Sequence, residues 1–257
     1  MVIKLKKIRK YANGDLLEEI NINKEATNIN NWKKVSGGNM VNVITGETRS
    51  HEPPKSKFNN LKSVAKSLSN ARVKVFNNFL DRPDNVYSID FTYSHPQRCY
   101  DTFMKDIKKL VKDIQKINPD VLLIIFKEIQ QNGSYHGHMF LTNIEITERK
   151  FRELWNKGEQ ISFTIMESDR DIVNKTYYLS SILENNETCK RKREAYKNFP
   201  PYKKLIYATK NLAKADDENE ETVAFIDTDK YEVVLETPKE KAEKRGIGYK
   251  TYLRIRK

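Results

Sequence analysis

At 257 residues with a net charge of +12, the chain can hold one large domain or two small ones, and its basic balance suits a polyanionic partner, nucleic acid above all. No run of about twenty apolar residues occurs, and the basic start MVIKLKKIRK has no apolar core behind it. A membrane span, a membrane partner and a secretory signal are therefore not expected, and a cytoplasmic location is; Cys99 and Cys189 are too few for a disulfide framework or thiolate-bound zinc.

Residues 1–55 hold short apolar pieces such as Val41 to Ile44, broken by Gly37-Gly38, Gly46 and Pro53-Pro54. They read as an N-terminal arm with one or two strands and no assigned role, ahead of a single domain over 56–257. From Asn60 to Leu80 the set Leu61, Val64, Leu68, Ala71, Val75 and Phe79 recurs at helical spacing. Val86 to Tyr93 alternates, with Tyr87, Ile89, Phe91 and Tyr93 on one face and Ser88, Asp90 and Thr92 on the other, and predicts a half-buried strand. Pro96 suits the first turn of the next helix, whose apolar stripe runs from Tyr100 to Ile117; Lys105, Lys108, Lys109, Lys112 and Lys116 form its solvated side.

The stretch Val121 to Asn143 then carries an apolar run, a turn and His136-Gly137-His138. In a strand alternate side chains share a face, so the two imidazoles stand ~7 Å apart along the backbone and can share an ion. Glu128 lies eight residues before His136 across a turn-forming segment, Gln130 to Ser134. A two-residue turn at Asn132-Gly133 would pair residues whose numbers sum to 265 and send Glu128 to the wrong face. Shared ligation therefore predicts an even sum, from a three- or five-residue loop or a bulge at Gly133, with 264 setting Glu128 opposite His136. Strand, long helix and hairpin in this order indicate an α+β protein whose helices cover one face of an antiparallel sheet.

Thr147 is expected to cap a short helix holding Phe151, Leu154 and Trp155, and Ile161, Phe163 and Ile165 alternate as a strand. A further helix begins near Asp169, with Ile172, Thr176, Leu179, Ile182 and Leu183 inward, and carries Tyr177 and Tyr178. In residues 190–210 the cations Lys190, Arg191, Lys192, Arg193, Lys203, Lys204 and Lys210 interleave with Tyr196, Phe199, Tyr202 and Tyr207. Such a pattern suits single-stranded nucleic acid, phosphates meeting cations and bases stacking on rings, although part of the aromatic set can equally be core. An acidic loop, Ala215 to Glu221, precedes closing strands at Val223–Ile226, Tyr231–Leu235 and Tyr249–Ile255, with a charged turn from Pro238 to Arg245.

Three of these blocks together resemble the HUH endonucleases, specifically the rolling-circle replication initiators of plasmids and phages. They are Asp90-Phe91-Thr92-Tyr93, Glu128 with His136-Gly137-His138, and Asn174-Lys175-Thr176-Tyr177-Tyr178-Leu179-Ser180-Ser181. The resemblance covers residues from about 60 onward. It implies an α+β domain with a ferredoxin-like central antiparallel sheet, and metal ligation by Glu128, His136 and His138. It also implies Tyr178 as nucleophile, with Tyr177 as the alternative. Gly137 replaces a bulky apolar residue of the family, Asp90 stands where threonine is common, and Ser181 and Ile182 replace a lysine and a second tyrosine. One active tyrosine is therefore expected, with Lys175 one turn earlier standing in for the missing lysine.

A phenol titrates near ~10 and needs a nearby cation or base to attack phosphorus. A divalent ion, Mn2+ or Mg2+ in use, would polarise the phosphate. The activity implied is nicking of single-stranded origin DNA through a 5′-phosphotyrosine link, with later rejoining. No phosphate-binding loop of the G-x-x-x-x-G-K-S/T type occurs, so a host helicase and polymerase are the expected partners. The alternatives are a single-tyrosine HUH transposase or relaxase-like transferase, a non-catalytic nucleic-acid-binding protein, and a hydrolase that uses metal-bound water.

Overall fold

The computed structural model describes residues 3–11, 16–24, 32–35, 39–50, 55–82, 84–213, 220–221, 230–236 and 247–254. The chain forms two compact units, residues 1–54 with 217–257 and residues 55–216. Strands that close the sequence thus belong with those that open it.

In the first unit β1 (Ile3–Tyr11) and β2 (Leu16–Lys24) pair antiparallel from Ile3↔Lys24 to Tyr11↔Leu16. Three short strands follow, β3 (Trp32–Lys34), β4 (Asn39–Asn42) and β5 (Thr48–Ser50), as a separate antiparallel sheet. β11 (Glu220–Glu221), β12 (Tyr231–Glu236) and β13 (Ile247–Arg254) complete the first sheet in the order β11-β1-β2-β13-β12. Among the described residues, 1–54 hold five strands rather than one or two. The strand expected at Val223–Ile226 and the turn expected at Pro238 to Arg245 lie outside the described residues.

The second unit is α+β, built on a five-stranded antiparallel sheet in the order β10-β7-β8-β6-β9. The strands are β6 (Val86–Phe91), β7 (Leu122–Ile129), β8 (Tyr135–Thr142), β9 (Ile161–Met166) and β10 (Ile206–Ala208). Five helices accompany them: α1 (Leu61–Phe79), α2 (Tyr100–Ile117), α3 (Glu148–Leu154), α4 (Asp169–Ser180) and α5 (Glu187–Ala195). Each N-terminus except that of α2 has a side-chain cap: Asn60, Thr147, Ser168 and Asn186 accept from Ser63, Lys150, Asp171 and Cys189. α2 starts at Tyr100 rather than near Pro96, with the Gln97 side chain accepting from Cys99 N at 2.8 Å.

Helices cover both faces of this sheet, not one. On one face α1 sets Phe79 against Phe140 of β8, at 5.9 Å between ring centroids, and α4 packs Tyr177 on Phe76 of α1 at 5.8 Å. On the other, Phe103 of α2 stacks on Tyr135 at 5.2 Å and Phe151 of α3 meets Phe91 at 6.0 Å. β6 is consequently buried on both faces except at Asp90, not half-buried. Its polar positions are covered by the α1 and α4 layer, which local alternation alone cannot report. The α2 lysines 105, 108, 109, 112 and 116 are exposed, as a solvated face should be.

Candidate metal centre

β7 and β8 pair from Leu122↔Thr142 to Ile129↔Tyr135, so Glu128 stands directly opposite His136 and paired numbers sum to 264. The connection is the irregular turn that shared ligation requires. Gly133 donates to Gln130 O at 2.9 Å and adopts φ +82°, and Gln130 then donates to Ser134 O at 2.8 Å. A left-handed residue at this point absorbs the odd residue of the loop, and glycine adopts it at no steric cost.

The register brings Glu128, His136 and His138 together with ligand atoms within 4.8 Å of one another. His136 Nε2 and His138 Nε2 are 2.9 Å apart, and Glu128 Oε2 lies 3.9 and 3.6 Å from them. Two nitrogens on one ion at ~2.1 Å each lie ~3.0–3.4 Å apart, so a cation fits with small adjustments. Glu128 Oε1 and His136 Nδ1 are buried with no hydrogen-bond partner. Lys192 Nζ lies 3.5 Å from Glu128 Oε1, while Oε2 faces both imidazoles, and one carboxylate with two imidazole nitrogens is a donor set that suits a divalent cation. The three residues thus fit a metal ion.

Asp90 of β6 faces His138 of β8 in the same sheet, and its carboxylate joins two groups. Oδ1 accepts from His138 Nδ1 at 2.7 Å and Oδ2 from Lys175 Nζ of α4 at 2.8 Å. With Nδ1 of His138 protonated toward Asp90, its neutral form leaves Nε2 bare, and the 2.9 Å contact then requires His136 to hold its proton on Nε2. Electrostatics follow from this network. Burial raises the carboxyls of Asp90 and Glu128, but hydrogen bonds from His138 and the charges of Lys175 and Lys192 respectively outweigh it, holding both at about 2. Burial, with the charge of His138, brings His136 down to about 4. For His138 burial is outweighed by the two carboxylates, and the group is shifted upward.

The two tyrosines diverge. Tyr177 is 7% exposed, with the Arg72 guanidinium 4.8 Å from its ring centroid, whereas Tyr178 is 47% exposed. Lys192 Nζ lies 4.5 Å from the Tyr178 ring centroid and 3.5 Å from Glu128 Oε1, so ring and carboxylate are within about 8 Å of each other. Lys175 Nζ is 6.0 Å from that ring. Tyr178, Glu128, His136 and His138 line one cleft of about 1250 Å³. α4 ends at Ser180 and Ile182 is buried, so no second tyrosine position follows on the exposed face. Leu183, expected inside, is 49% exposed.

The basic segment divides. Lys190 and Arg191 are exposed on the cleft wall. Lys192 turns inward, donating to Tyr178 O and to Leu179 O, the latter at 3.3 Å. Arg193 donates to Ile182 O and Glu184 O at 2.7 and 2.8 Å. Lys203 is held by Asp101 at 2.6 Å, while Lys204 and Lys210 are exposed. Of the aromatics, Tyr196 and Phe199 are core and Tyr202 is 74% exposed. Sequence reasoning missed Asp90 and the inward role of Lys192. The signal for Asp90 was a carboxylate on the polar side of a strand, unusable without the β6 to β8 register.

No family model matches the chain, and no curated protein matches it. Among solved structures, the crystal structure of the hypothetical protein ORF119 from Sulfolobus islandicus rod-shaped virus 1 is similar over 50% of this chain and 97% of that one, at 14% identity and a TM-score of 0.30. A likeness of that degree carries no argument about fold or function.

Proposed function

We propose that the protein is an HUH-type replication initiator that nicks single-stranded origin DNA through Tyr178 and later rejoins the strands. The observation that carries this reading is that an exposed phenol shares one cleft with Glu128, His136 and His138, with Lys192 bridging ring and carboxylate. The antiparallel sheet of residues 55–216 is read as the ferredoxin-like sheet of that family, and the support is that neighbouring strands β7, β8 and β6 carry the triad and Asp90.

In this mechanism Lys190 and Arg191 at the cleft wall hold backbone phosphates, and the phosphodiester lies between the triad and α4. The Tyr178 oxygen forms a bond to phosphorus as the bond to the 3′ oxygen breaks. The electron pair leaves with that oxygen, which gains a proton as a 3′-hydroxyl, while the phenol gives up its own. Lys175 Nζ and Lys192 Nζ stand 6.0 and 4.5 Å from the Tyr178 ring centroid, cations beside the attacking residue. A divalent ion, Mn2+ or Mg2+, held by Glu128, His136 and His138 would neutralise charge on the non-bridging phosphate oxygens. Because the phosphotyrosine preserves a phosphodiester, a later hydroxyl can reverse the reaction. A host helicase and polymerase would complete replication, in the cytoplasm; no described helix is long and apolar enough to cross a membrane.

A labelled single-stranded oligonucleotide library incubated with the protein and Mn2+ should yield a covalent adduct on a denaturing gel. Tyr178→Phe should abolish it, Tyr177→Phe should retain most of it, and chelator should remove it. Cut ends without attached protein, or an adduct that survives Tyr178→Phe, would overturn the assignment.

A further inference from the structure

We infer that Asp90 is a positioning residue that presets one half of the cation site and ties the tyrosine helix to it. The inference deepens the reading above and rests on its cation site. The two histidines are held differently. His138 Nδ1 is 2.7 Å from Asp90 Oδ1, a geometry that keeps a proton on Nδ1 and aims Nε2 at the shared site. His136 Nδ1 is buried and has no hydrogen-bond partner, so its tautomer is set only through the contact of its Nε2 with His138. Its Nε2 must lose the proton it shares with His138 before it can ligate. His138 is therefore the prepared ligand and His136 the one that adapts.

The second oxygen of the same carboxylate holds Lys175 Nζ at 2.8 Å, and Lys175 lies three residues before Tyr178 on α4. Residues so spaced share a helix face, and Lys175 Nζ is 6.0 Å from the Tyr178 ring. One carboxylate thus spans β6, β8 and α4, and fixes the distance between ligand and nucleophile. Threonine, the residue the resemblance leads one to expect at position 90, has a single hydroxyl and cannot accept from both partners as an anion does. Loss of a group orienting a metal-bound histidine typically weakens metal binding 10- to 100-fold.

The test reads the imidazole nitrogens directly. In 15N NMR of the metal-free protein, His138 should carry its proton on Nδ1. Asp90→Ala should shift that proton toward Nε2 and, through the shared contact, move the His136 proton toward its Nδ1, with circular dichroism unchanged. Mn2+ affinity measured by the spin signal of free Mn2+ should fall at least tenfold in Asp90→Ala, and stay within threefold of wild type in Lys175→Met. Should Asp90→Ala not fold, the nearly isosteric Asp90→Asn, whose neutral amide is the weaker acceptor, should lower Mn2+ affinity threefold or more. A bare Nδ1 in the wild-type protein, or a folded Asp90 variant with unchanged tautomer and unchanged Mn2+ affinity, would overturn the inference. A wild-type protein that shows the expected tautomer yet binds no Mn2+ supports the positioning by Asp90 and sinks the metal reading instead. Mn2+ binding without any DNA adduct sinks only the nuclease.

Discussion

Between the two histidines sits a residue with no room for a side chain. A Cβ built on Gly137 would lie 2.4 Å from Phe91 Cζ, and Phe91 is itself fixed against Trp155 at 4.7 Å and Phe151 at 6.0 Å. The space a side chain would take here is filled by the Phe91 ring of the neighbouring strand, on the face away from the ligands. Gly137→Val should therefore destabilise by about 1–3 kcal/mol or more, read as a lower urea midpoint with unchanged slope, since the aromatic cluster cannot yield. Much of this site was legible at the same scale. Shared ligation by Glu128 and two histidines required an even register, from a longer loop or a bulge at Gly133, and the register found sets Glu128 opposite His136. Asp90 was not, because which strand lies beside β8 depends on contacts between residues 48 apart in sequence that no local period encodes.

At the scale of elements, α5 shows how a basic run misleads. Lys190 to Arg193 reads as one cationic patch, yet successive residues of a helix point about 100° apart, and Lys192 faces the protein. Its ammonium caps the final carbonyls of α4 and answers the Glu128 charge, at side-chain exposures of 5% and 16%. Lys192→Met leaves a buried carboxylate near two histidines without that cation, and a loss of about 3–5 kcal/mol is expected. Saturating Mn2+ should restore part of it, because a cation on Glu128 replaces the missing charge. Thermal melts of the variant with Mn2+ and with chelator measure the difference, and equal increments for variant and wild type would argue against the shared electrostatics. β1 and β2 escaped notice for a related reason. The arm was expected to hold one or two strands without bounds, whereas the register sets Arg9 against Glu18 and Lys250 of β13 against Glu19. Opposite charges facing across strands were the available signal.

For the molecule as a whole, buried phenols set an alkaline limit. Burial, then hydrogen bonding to Asp106, pushes Tyr93 far upward, and burial with the charge of Asp101 takes Tyr100 to about 12. Below pH ~10 folded and unfolded chains both keep these protons, and the stabilisation is complete. Above it the unfolded chain ionises while the native one does not, so stability should decline as pH rises from 10 toward the folded values. Each group steepens the decline by up to ~1.4 kcal/mol per pH unit. Urea titrations at pH 8, 10 and 11 should show a shallower decline for Tyr93→Phe, despite a loss of about 1 kcal/mol at pH 8 from its bond to Asp106 at 2.9 Å.

The interleaving of the two units dictates an order of events during synthesis. β2 finds its neighbour β13 more than two hundred residues later, whereas every strand of residues 55–216 finds its partners within that segment. On the ribosome the segment with the triad and Tyr178 can mature first, while β1 and β2 wait as a lone hairpin, a species of marginal stability in water. A polypeptide of residues 55–216 should fold and bind Mn2+ by itself. One truncated after residue 216 should keep that centre yet self-associate in light scattering, its unfinished sheet offering both flanks to other copies.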